Sequence, residues 1–339
     1  MKALLIGGTG TISRSITELL IEKGWEVFVL NRGNRALPAG AAQLTADTGD
    51  EAAVKNAVEG HSFDVVADFR AYVPEDVMRD CRVFSGITKQ YIFISSASAY
   101  QKPALNAYIT ESTPLVNPYW QYSRDKAASE DALMLLHKSE GFPVTIVRPS
   151  HTYDRSSLPI AVSGRNGPWS VVKRMLEGKP VLIHGDGSSL WTLTHSRDFA
   201  KGFTGLMGNI HAIGHAVHIT SDELLSWNQV YGAIASALGK KLIPAYAPSD
   251  LIAAAGVKYG YDFEGALLGD KSPSALFDNG KIKRLVPGFT CEIRFDTGVR
   301  ESVEYLLGNR AAQTEDPEYD GFCDAVIGAL ETARKTLLA

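Results

Sequence analysis

The stretch ALLIGGTGTIS at residues 3–13 decides the fold of this chain. It joins an apolar run to closely spaced glycines, a pattern typical of a buried β-strand that turns directly into an α-helix. Gly7 has the backbone freedom that such a tight turn needs, and Gly10 has no Cβ to obstruct an approaching anion. A helix that begins near Ile12 directs free N–H groups and a partial positive charge at the same place. The stretch therefore predicts a phosphate-binding turn.

The following residues extend this motif into a complete β-α-β unit. Apolar residues recur at helical spacing from Ile12 to Leu20, Gly24 ends the helix, and residues 27–30 (VFVL) form the next strand. Ser13 stands where the dinucleotide-binding fingerprint has its third glycine. In this context we expect the turn to bind the pyrophosphate of a dinucleotide. The residues expected to contact it are Gly7, Thr9, Gly10, Thr11 and Ile12.

Strand and helix patterns alternate through the first half of the chain. Apolar strand patterns lie at residues 42–44, 63–68, 91–94 and 144–147, and helical patterns at 51–58, 74–84 and from Tyr122 to about His137. This alternation predicts an α/β fold with a Rossmann-type doubly wound parallel sheet. Such sheets place their sites at the carboxyl ends of the strands. Gly7, Asn31, Ser96 and Pro149 are expected at that edge.

The regular alternation of strand and helix patterns ends after Pro149, where glycines interrupt it. We expect residues 1–150 to form the dinucleotide-binding Rossmann domain and residues 151–339 mostly a smaller substrate-binding lobe, with strands near 181–200 returning to the first domain. The tail from Phe322 to Leu338 carries apolar residues at helical spacing, including Ala333 and Leu337. It predicts an amphipathic helix packed on the body of the protein.

Composition limits the class of protein and its partners. The chain has 339 residues, 45% of them hydrophobic, and a net charge of −4. This acidic balance gives no electrostatic reason to expect nucleic acid or an anionic membrane as partner. Three widely separated cysteines fit a reducing cytoplasm, and no stretch has the length of a signal peptide or a membrane span. We expect a cytoplasmic protein.

Tyr122 and Lys126 carry the first catalytic signal. Their spacing places a phenol and an ammonium one turn apart on the same helical face. A nearby cation stabilises phenolate and lowers the pKa of a tyrosine toward the range where proton transfer is efficient. Ser96 lies 26 residues before Tyr122, directly after a predicted buried strand, and could donate a hydrogen bond to a substrate oxygen. The spacing of Tyr122 and Lys126 alone is weak, but the three residues in this order behind a dinucleotide-binding turn are far less likely to occur by chance.

At these residues the chain resembles the extended short-chain dehydrogenase/reductase family, the NAD(P)-dependent sugar epimerases and dehydratases. The resemblance covers nearly the whole chain. Its matching pieces are residues 7–12, 92–100 (IFISSASAY), 122–126 (YSRDK), 148–153 (RPSHTY), 185–187 (GDG), 197–200 (RDFA), and Asp278-Asn279 with Lys281 and Arg284.

The resemblance implies a role for each matching residue. Tyr122 would exchange the proton of a hydroxyl or keto group, Lys126 would lower the Tyr122 pKa and hold the nicotinamide ribose, and Ser96 would polarise the substrate oxygen. Further cofactor contacts are implied at Pro149 and Ser150, and we expect substrate contacts at Ser98, Tyr100, His151 and Trp191. Phe69 and Arg70 follow a predicted strand near the cofactor; we expect Phe69 to contact the cofactor, and the exact roles of both residues stay open.

The end of the second predicted strand bears on the choice of cofactor. NAD sites commonly have an acidic residue there for the ribose hydroxyls. This chain has Asn31 followed by Arg32, with Arg35 close by. A guanidinium suits the 2′-phosphate of NADP through charge-assisted hydrogen bonds. We therefore expect NADP, with NAD as the alternative.

Two departures from the family pattern affect the substrate and possible metals. Trp191 stands where sugar-nucleotide enzymes of the family carry an arginine for the substrate diphosphate, which weakens the case for a nucleotide sugar; its indole could stack on a ligand or fill the core. His211, His215 and His218 lack the pattern of a metalloprotease site, and we expect surface and strand histidines and no metal.

These observations leave three functions open. The first is an epimerase or dehydratase-type oxidoreductase that acts on a hydroxyl or keto group of a sugar or sugar nucleotide. The second is an NADPH-dependent carbonyl reductase on a smaller substrate, and the third is a non-catalytic nucleotide-sensing or RNA-associated relative. The resemblance further implies a homodimer through the helix that bears Tyr122.

Overall fold

A computed structural model describes all of residues 1–339. Its centre is a sheet of seven parallel strands, namely β1 (Lys2–Ile6), β2 (Glu26–Asn31), β3 (Ala42–Thr45), β4 (Val65–Asp68), β5 (Tyr91–Ile94), β7 (Val144–Pro149) and β12 (His215–Ile219). Their order in the sheet is β12-β7-β5-β4-β1-β2-β3. The order reverses beside β1, which leaves a crevice at the carboxyl ends of β1 and β4. The predicted Rossmann-type sheet is confirmed.

The remaining strands are short and form four two-stranded sheets. They are β6 (Tyr108–Ile109), β8 (His151–Tyr153), β9 (Val181–His184), β10 (Leu190–Trp191), β11 (Leu193–His195), β13 (Leu225–Ser226), β14 (Pro244–Ala247) and β15 (Leu276–Phe277). The pairs are β10 with β13, β11 with β8, β14 with β9, and β15 with β6.

Twelve α-helices surround the sheets. They are α1 (Thr11–Glu22), α2 (Glu51–Ala57), α3 (Pro74–Phe84), α4 (Gln121–Glu140), α5 (Trp169–Leu176), α6 (Ser196–Leu206), α7 (Trp227–Ala237), α8 (Ser249–Lys258), α9 (Phe263–Ala266), α10 (Gly280–Leu285), α11 (Phe295–Gly308) and α12 (Pro317–Leu338). None of them is long and apolar enough to cross a membrane.

Both faces of the large sheet are covered by helices, as its uninterrupted apolar strands require. On one face α1 packs against α6, and on the other α3 packs against α4. Val65, Ala67 and Ile92 belong to the first apolar core, whereas Val66, Tyr91 and Phe93 belong to the second. This alternation follows from the two-residue period of a strand. A third core fills the smaller lobe.

The return of the chain to the large sheet differs from the prediction. The strands near 181–200 do not join it, because β9 pairs with β14 and β11 with β8. The elements that return are α6, which packs on α1, and β12, which adds to the sheet edge beside β7. The preference of a short apolar strand depends on the neighbours that it packs against. Its own sequence therefore does not select between the large sheet and a two-stranded one.

The predicted C-terminal helix exists but is only partly packed. Tyr319, Phe322 and Val326 are buried against the smaller lobe. Ala333 and Leu337 are exposed, so the expectation that the whole apolar stripe is covered is wrong for the last turns of α12.

Candidate active site

A cleft of about 480 Å³ opens at the carboxyl ends of the central strands. We call it the glycine-turn cleft. It is lined by ten of the eleven residues predicted for the cofactor, namely Gly7, Thr9, Gly10, Thr11, Ile12, Asn31, Arg32, Phe69, Lys126 and Pro149. Their convergence from five separate segments on one cleft follows from the topology, since parallel strands end at the same edge.

The glycine turn is closed by a hydrogen-bonded serine. Gly7 has a φ of +88°, and a Cβ there would lie 2.7 Å from Cγ of Arg70. The Ser13 hydroxyl accepts a hydrogen bond from the Gly10 N–H at 2.9 Å and donates one to the Gly7 carbonyl at 2.8 Å. Ser13 therefore fixes the turn where the fingerprint has a glycine. The first turn of α1 leaves its N–H groups directed at the cleft.

Replacing Gly7 by alanine is expected to weaken dinucleotide binding, because both the left-handed φ and the Arg70 stem oppose a Cβ. Gly24→Ala is the matched control. Gly24 also has a positive φ, but its Cβ would meet nothing within 4 Å. Backbone strain of about 1–3 kcal/mol is expected in each variant. Calorimetric titration with NADP+ and NAD+ should show a raised dissociation constant for Gly7→Ala alone; equal affinities in both variants would contradict this role of the turn.

The end of β2 presents polar and basic side chains to the cleft. The Asn31 side-chain oxygen accepts hydrogen bonds from the Gly33 N–H at 2.6 Å and from Nε2 of Gln43 at 2.9 Å. Its Nδ2 atom is buried and has no partner. Arg32 and Arg35 are exposed and line the same end of the cleft. A donor without a partner beside two guanidinium groups suits an anionic, oxygen-rich ligand.

The loop after β4 forms another wall of the cleft. Phe69, Arg70 and Tyr72 all line it. The buried Asp68 carboxylate holds the loop by accepting hydrogen bonds from the N–H groups of Arg70 and Ala71, at 2.6 and 3.2 Å. The sequence left the roles of Phe69 and Arg70 open. In the structure both side chains line the glycine-turn cleft.

Lys126 is buried and tied to the backbone. Its ammonium donates to the carbonyl oxygens of Ala71 at 2.6 Å and Ile94 at 2.8 Å. An ammonium has three N–H donors, so one remains for a ligand in the cleft. Burial lowers the pKa of Lys126 to about 8. The lysine thus joins α4 to the ends of β4 and β5 while it lines the cleft.

Tyr122 is a protonated phenol in this geometry. Burial raises its pKa to about 12, and the Ser96 hydroxyl opposes that shift only in part. The ammonium of Lys126 lies 5.7 Å from the Tyr122 ring centroid and is already bonded to two carbonyls. Burial opposes the predicted lowering of the Tyr122 pKa by Lys126, which stays a prediction. At neutral pH the hydroxyl can donate a proton.

A hydrogen-bonded group of serines lies beside the phenol. The oxygen of Ser96 is 2.9 Å from that of Ser98, which accepts a hydrogen bond from the Ser123 hydroxyl at 2.8 Å. Ser96 also accepts from the Ser98 N–H at 3.2 Å and so caps the short turn after β5. Ser96 thus caps the end of the strand and also lies beside Tyr122.

A second cavity of about 330 Å³ adjoins the glycine-turn cleft. We call it the inner cavity. Tyr122, Ile12 and Pro149 line both spaces. The remaining lining residues are Ser96, Ala97, Ser98, Trp120, Ser150, His151, Thr152, Trp191, Asp270 and Lys271. Asp270, Lys271 and Trp120 were not found from the sequence, because no motif includes them. Thr152 lies in the matching piece 148–153 but received no predicted role.

Two residues predicted to contact substrate are placed differently. Tyr100 lines neither space: it is fully buried and its hydroxyl lies 3.0 Å from Nδ1 of His218. Trp191 lines the inner cavity but packs against the Trp227 ring at 6.3 Å, and the Lys102 ammonium lies 5.8 Å from its ring centroid. The indole is 2% exposed and belongs to the apolar core of the smaller lobe, which favours the core-filling alternative.

The predicted histidines have separate structural roles. His151 lines the inner cavity, and burial lowers its pKa to about 3, so it is neutral at physiological pH. His218 lies in β12, where its Nε2 donates to the Asp278 carbonyl at 2.7 Å. His211 and His215 lie at the exposed end of this region. No group of three potential ligands lies close enough to hold a metal ion.

A buried ion pair joins the helix and the strand that carry the site. Glu130 of α4 accepts hydrogen bonds from Nε and Nη2 of Arg148 in β7, at 2.9 and 2.5 Å. Both side chains are almost fully buried. The pairing raises the pKa of Arg148. It sets the position of α4, and hence of Tyr122, relative to Pro149.

The sheet order and the glycine turn define a dinucleotide-binding Rossmann domain with a hydroxyl-lined cavity against it. A family model identifies the class further: the NAD dependent epimerase/dehydratase family matches residues 3–220. The chain belongs to this family. It is an NAD(P)-dependent enzyme of the oxidoreductase and epimerase class.

Curated relatives show the range of the family. The chain is 25% identical over 293 residues to 2′-dehydrokanamycin reductase of Streptomyces kanamyceticus. The aligned region covers 85% of this chain and 80% of that protein. It is 26% identical over 254 residues to the chloroplast stem-loop binding protein of 41 kDa b of Arabidopsis thaliana, which covers 70% of this chain and 63% of that protein.

Solved structures support the fold. UDP-glucose 4-epimerase from Bifidobacterium longum, in complex with NAD+ and UDP, superposes with a TM-score of 0.70 at 18% identity, over 93% of this chain and 100% of the other. dTDP-glucose 4,6-dehydratase from Bacillus anthracis, in complex with NAD, gives 0.70 at 16% identity, over 92% and 98%. At this level of identity the likeness concerns the fold.

Proposed function

We propose that this enzyme transfers hydride between a nicotinamide dinucleotide and a hydroxyl or keto carbon of a sugar-like substrate, with Tyr122 as the proton donor and acceptor. One observation carries the proposal: Tyr122 lines both the glycine-turn cleft and the inner cavity. A phenol at that junction can reach a substrate oxygen while the substrate carbon faces a cofactor. Ser96, on the inner-cavity side, would stabilise negative charge on the same oxygen.

The residues present fit a dinucleotide. The turn at Gly7 and Gly10 gives the backbone N–H groups access to a pyrophosphate, since a Cβ at Gly10 would have only the Ser13 oxygen near it, at 3.5 Å. The remaining donor of Lys126 suits a ribose hydroxyl. The bound nicotinamide would supply or accept the hydride. Pro149 and Ser150 would border its ring, because Pro149 lines both spaces and Ser150 the inner one.

NADP is the cofactor that we favour over NAD. Arg32 and Arg35 line the cleft and make no ion pair, so both are available to a 2′-phosphate. No carboxylate occupies the Asn31 position, where NAD sites commonly have one. Removing one such charge-assisted hydrogen bond to the 2′-phosphate costs about 1.5–3 kcal/mol of binding free energy.

The double variant Arg32→Ala/Arg35→Ala is therefore expected to bind NADP+ about tenfold or more weakly, with little change for NAD+. Fluorescence titration with each dinucleotide measures this. Arg334→Ala, at an exposed arginine of α12, is the control for lost positive charge. Unchanged NADP+ affinity in the double variant would make NAD the better assignment.

Within this function, one-way carbonyl reduction has support of its own. Tyr122 is protonated at neutral pH, which suits donation of a proton to a carbonyl oxygen. The relative from Streptomyces kanamyceticus is named a reductase. An epimerase instead oxidises and reduces the same carbon and needs the phenol in both protonation states.

Cofactor balance separates these two outcomes. We expect the purified enzyme to release bound dinucleotide on denaturation, and chromatography identifies which one. A reductase consumes added NADPH in proportion to product, followed at 340 nm. Product formation without net NADPH loss would support the epimerase, and loss of all dinucleotide binding together with salt-dependent RNA binding would support a non-catalytic role.

A further inference from the structure

The charged side chains that line the inner cavity form a neutral pair. They are Asp270 and Lys271, whose carboxylate oxygen and ammonium lie 3.1 Å apart. His151, which also lines the cavity, is uncharged at physiological pH because burial lowers its pKa. The wall that faces a substrate beside Tyr122 therefore has no unpaired cation.

The position of this pair is fixed by the surrounding protein. Asp270 and Lys271 lie in a single π-helical turn at residues 267–271, a rare geometry that is frequent at functional sites. The Lys271 carbonyl accepts hydrogen bonds from Nε1 of Trp227 at 3.0 Å and from Nε2 of His184 at 3.2 Å. The turn is thus held rigidly against the cavity.

The same turn is joined to the serines at the end of β5. The Asn117 amide donates to the carbonyls of Gly269 and Ser98, each at 2.7 Å. Asn117 thereby links the Asp270 turn to the end of β5, where Ser96 and Ser98 lie. Asp270 is also near enough to Tyr122 that its negative charge raises the phenol pKa.

Several polar atoms around the cavity have no partner in the protein. The only hydrogen bond to the buried Asp270 carboxylate comes from Lys271. Thr152 Oγ1, His151 Nδ1 and Trp191 Nε1, on residues that line the cavity, are also unpaired, but these three atoms are closed off from the cavity space. A carboxylate with one partner keeps further acceptor sites, so hydroxyl groups of a ligand suit Asp270.

The ammonium of Lys102 lies behind the cavity and adds no cation to its lining. The Lys102 ammonium lies over the Trp191 ring, 5.8 Å from the ring centroid, and Lys102 does not line the inner cavity. The indole of Trp191 thus occupies the wall where a guanidinium could have met a phosphate. A diphosphate placed in this cavity would bring at least two negative charges into partly buried surroundings without a free cation, which is unfavourable.

We propose that the inner cavity binds a polyhydroxylated ring without a phosphate group, a glycoside or a cyclitol, with the Asp270 carboxylate accepting hydrogen bonds from its hydroxyls. The same lining disfavours a diphosphate inside this cavity. The inference rests on the proposed function in that Tyr122 acts on the ring held there.

Equilibrium binding tests the proposal without turnover. The full-length protein with saturating NADP+ is titrated calorimetrically with a panel of methyl hexosides, aminoglycosides and cyclitols, and with UDP and UDP-glucose. We expect at least one phosphate-free ligand to bind, and UDP and UDP-glucose to bind no more tightly than it does. Asp270→Asn should weaken that binding about tenfold or more, since a hydrogen bond to a charged group is lost.

The control is Glu264→Gln, an exposed carboxylate of the same lobe that lines neither space around Tyr122. It should bind like the wild type, and the NADP+ affinity of Asp270→Asn should also be unchanged. Tighter binding of UDP or UDP-glucose, the absence of any phosphate-free ligand, or unaltered binding by Asp270→Asn would each overturn the proposal. If the ring binds as expected but no panel member reacts with NADP(H), the proposed function fails while this inference stands.

Discussion

Tyr122→Phe is expected to lower kcat by about 10²- to 10⁴-fold, the usual contribution of a positioned general acid or base. The substitution removes only the hydroxyl, so the ring keeps its contacts with Trp120 and Tyr72. The phenol oxygen interacts with the Ser96 hydroxyl, which is itself held by Ser98. Dinucleotide binding and melting temperature should therefore stay near wild-type values, and the loss should fall on the chemical step.

Steady-state kinetics with the substrate identified by the binding panel measure this effect. Tyr108→Phe is the matched control, because Tyr108 is 56% exposed on β6 and lines neither space. It should turn over like the wild type. A Tyr122→Phe variant with near-wild-type kcat would show that another group transfers the proton.

Removal of the Glu130 carboxylate is expected to destabilise the protein by about 3–5 kcal/mol, because Arg148 would be left charged and unpaired in the interior. The geometry is bidentate and both side chains are almost fully buried. Since the pair also joins α4 to β7, Glu130→Ala should displace Tyr122 relative to Pro149. We therefore expect lower kcat in whatever fraction remains folded.

Urea unfolding followed by circular dichroism measures the change. Glu301→Ala is the control: Glu301 lies in α11 and pairs with Arg197, but both side chains are about half exposed. Its loss should cost less than about 1 kcal/mol. Equal effects of the two substitutions would contradict the buried-pair account.

Local signals in the sequence predicted the part of the site that depends on local structure. The glycine turn and the four-residue spacing of Tyr122 and Lys126 each lie within one strand-turn-helix segment or one helix. Both residues of the predicted catalytic pair line the cleft, together with nearly all of the predicted cofactor contacts.

The rest depended on long-range packing. Asp270 and Lys271 follow Tyr122 by about 150 residues and reach the cavity only because Trp227, His184 and Asn117 hold their turn. The protonation of Tyr122 is set by burial, which its neighbours in the chain do not determine. The return of β12 to the large sheet likewise depends on which sheet edge is free.

Hydride and proton transfer to one substrate require that the phenol of Tyr122 meets a nicotinamide where the two spaces join. A crystal structure of the protein with NADP+ measures this directly. We expect the pyrophosphate at the Gly7–Gly10 turn and the nicotinamide beside Pro149, with the Tyr122 hydroxyl open to the inner cavity on the same side of the ring. A nicotinamide bound away from Tyr122, or a hydroxyl shielded from the inner cavity by protein, would contradict the account.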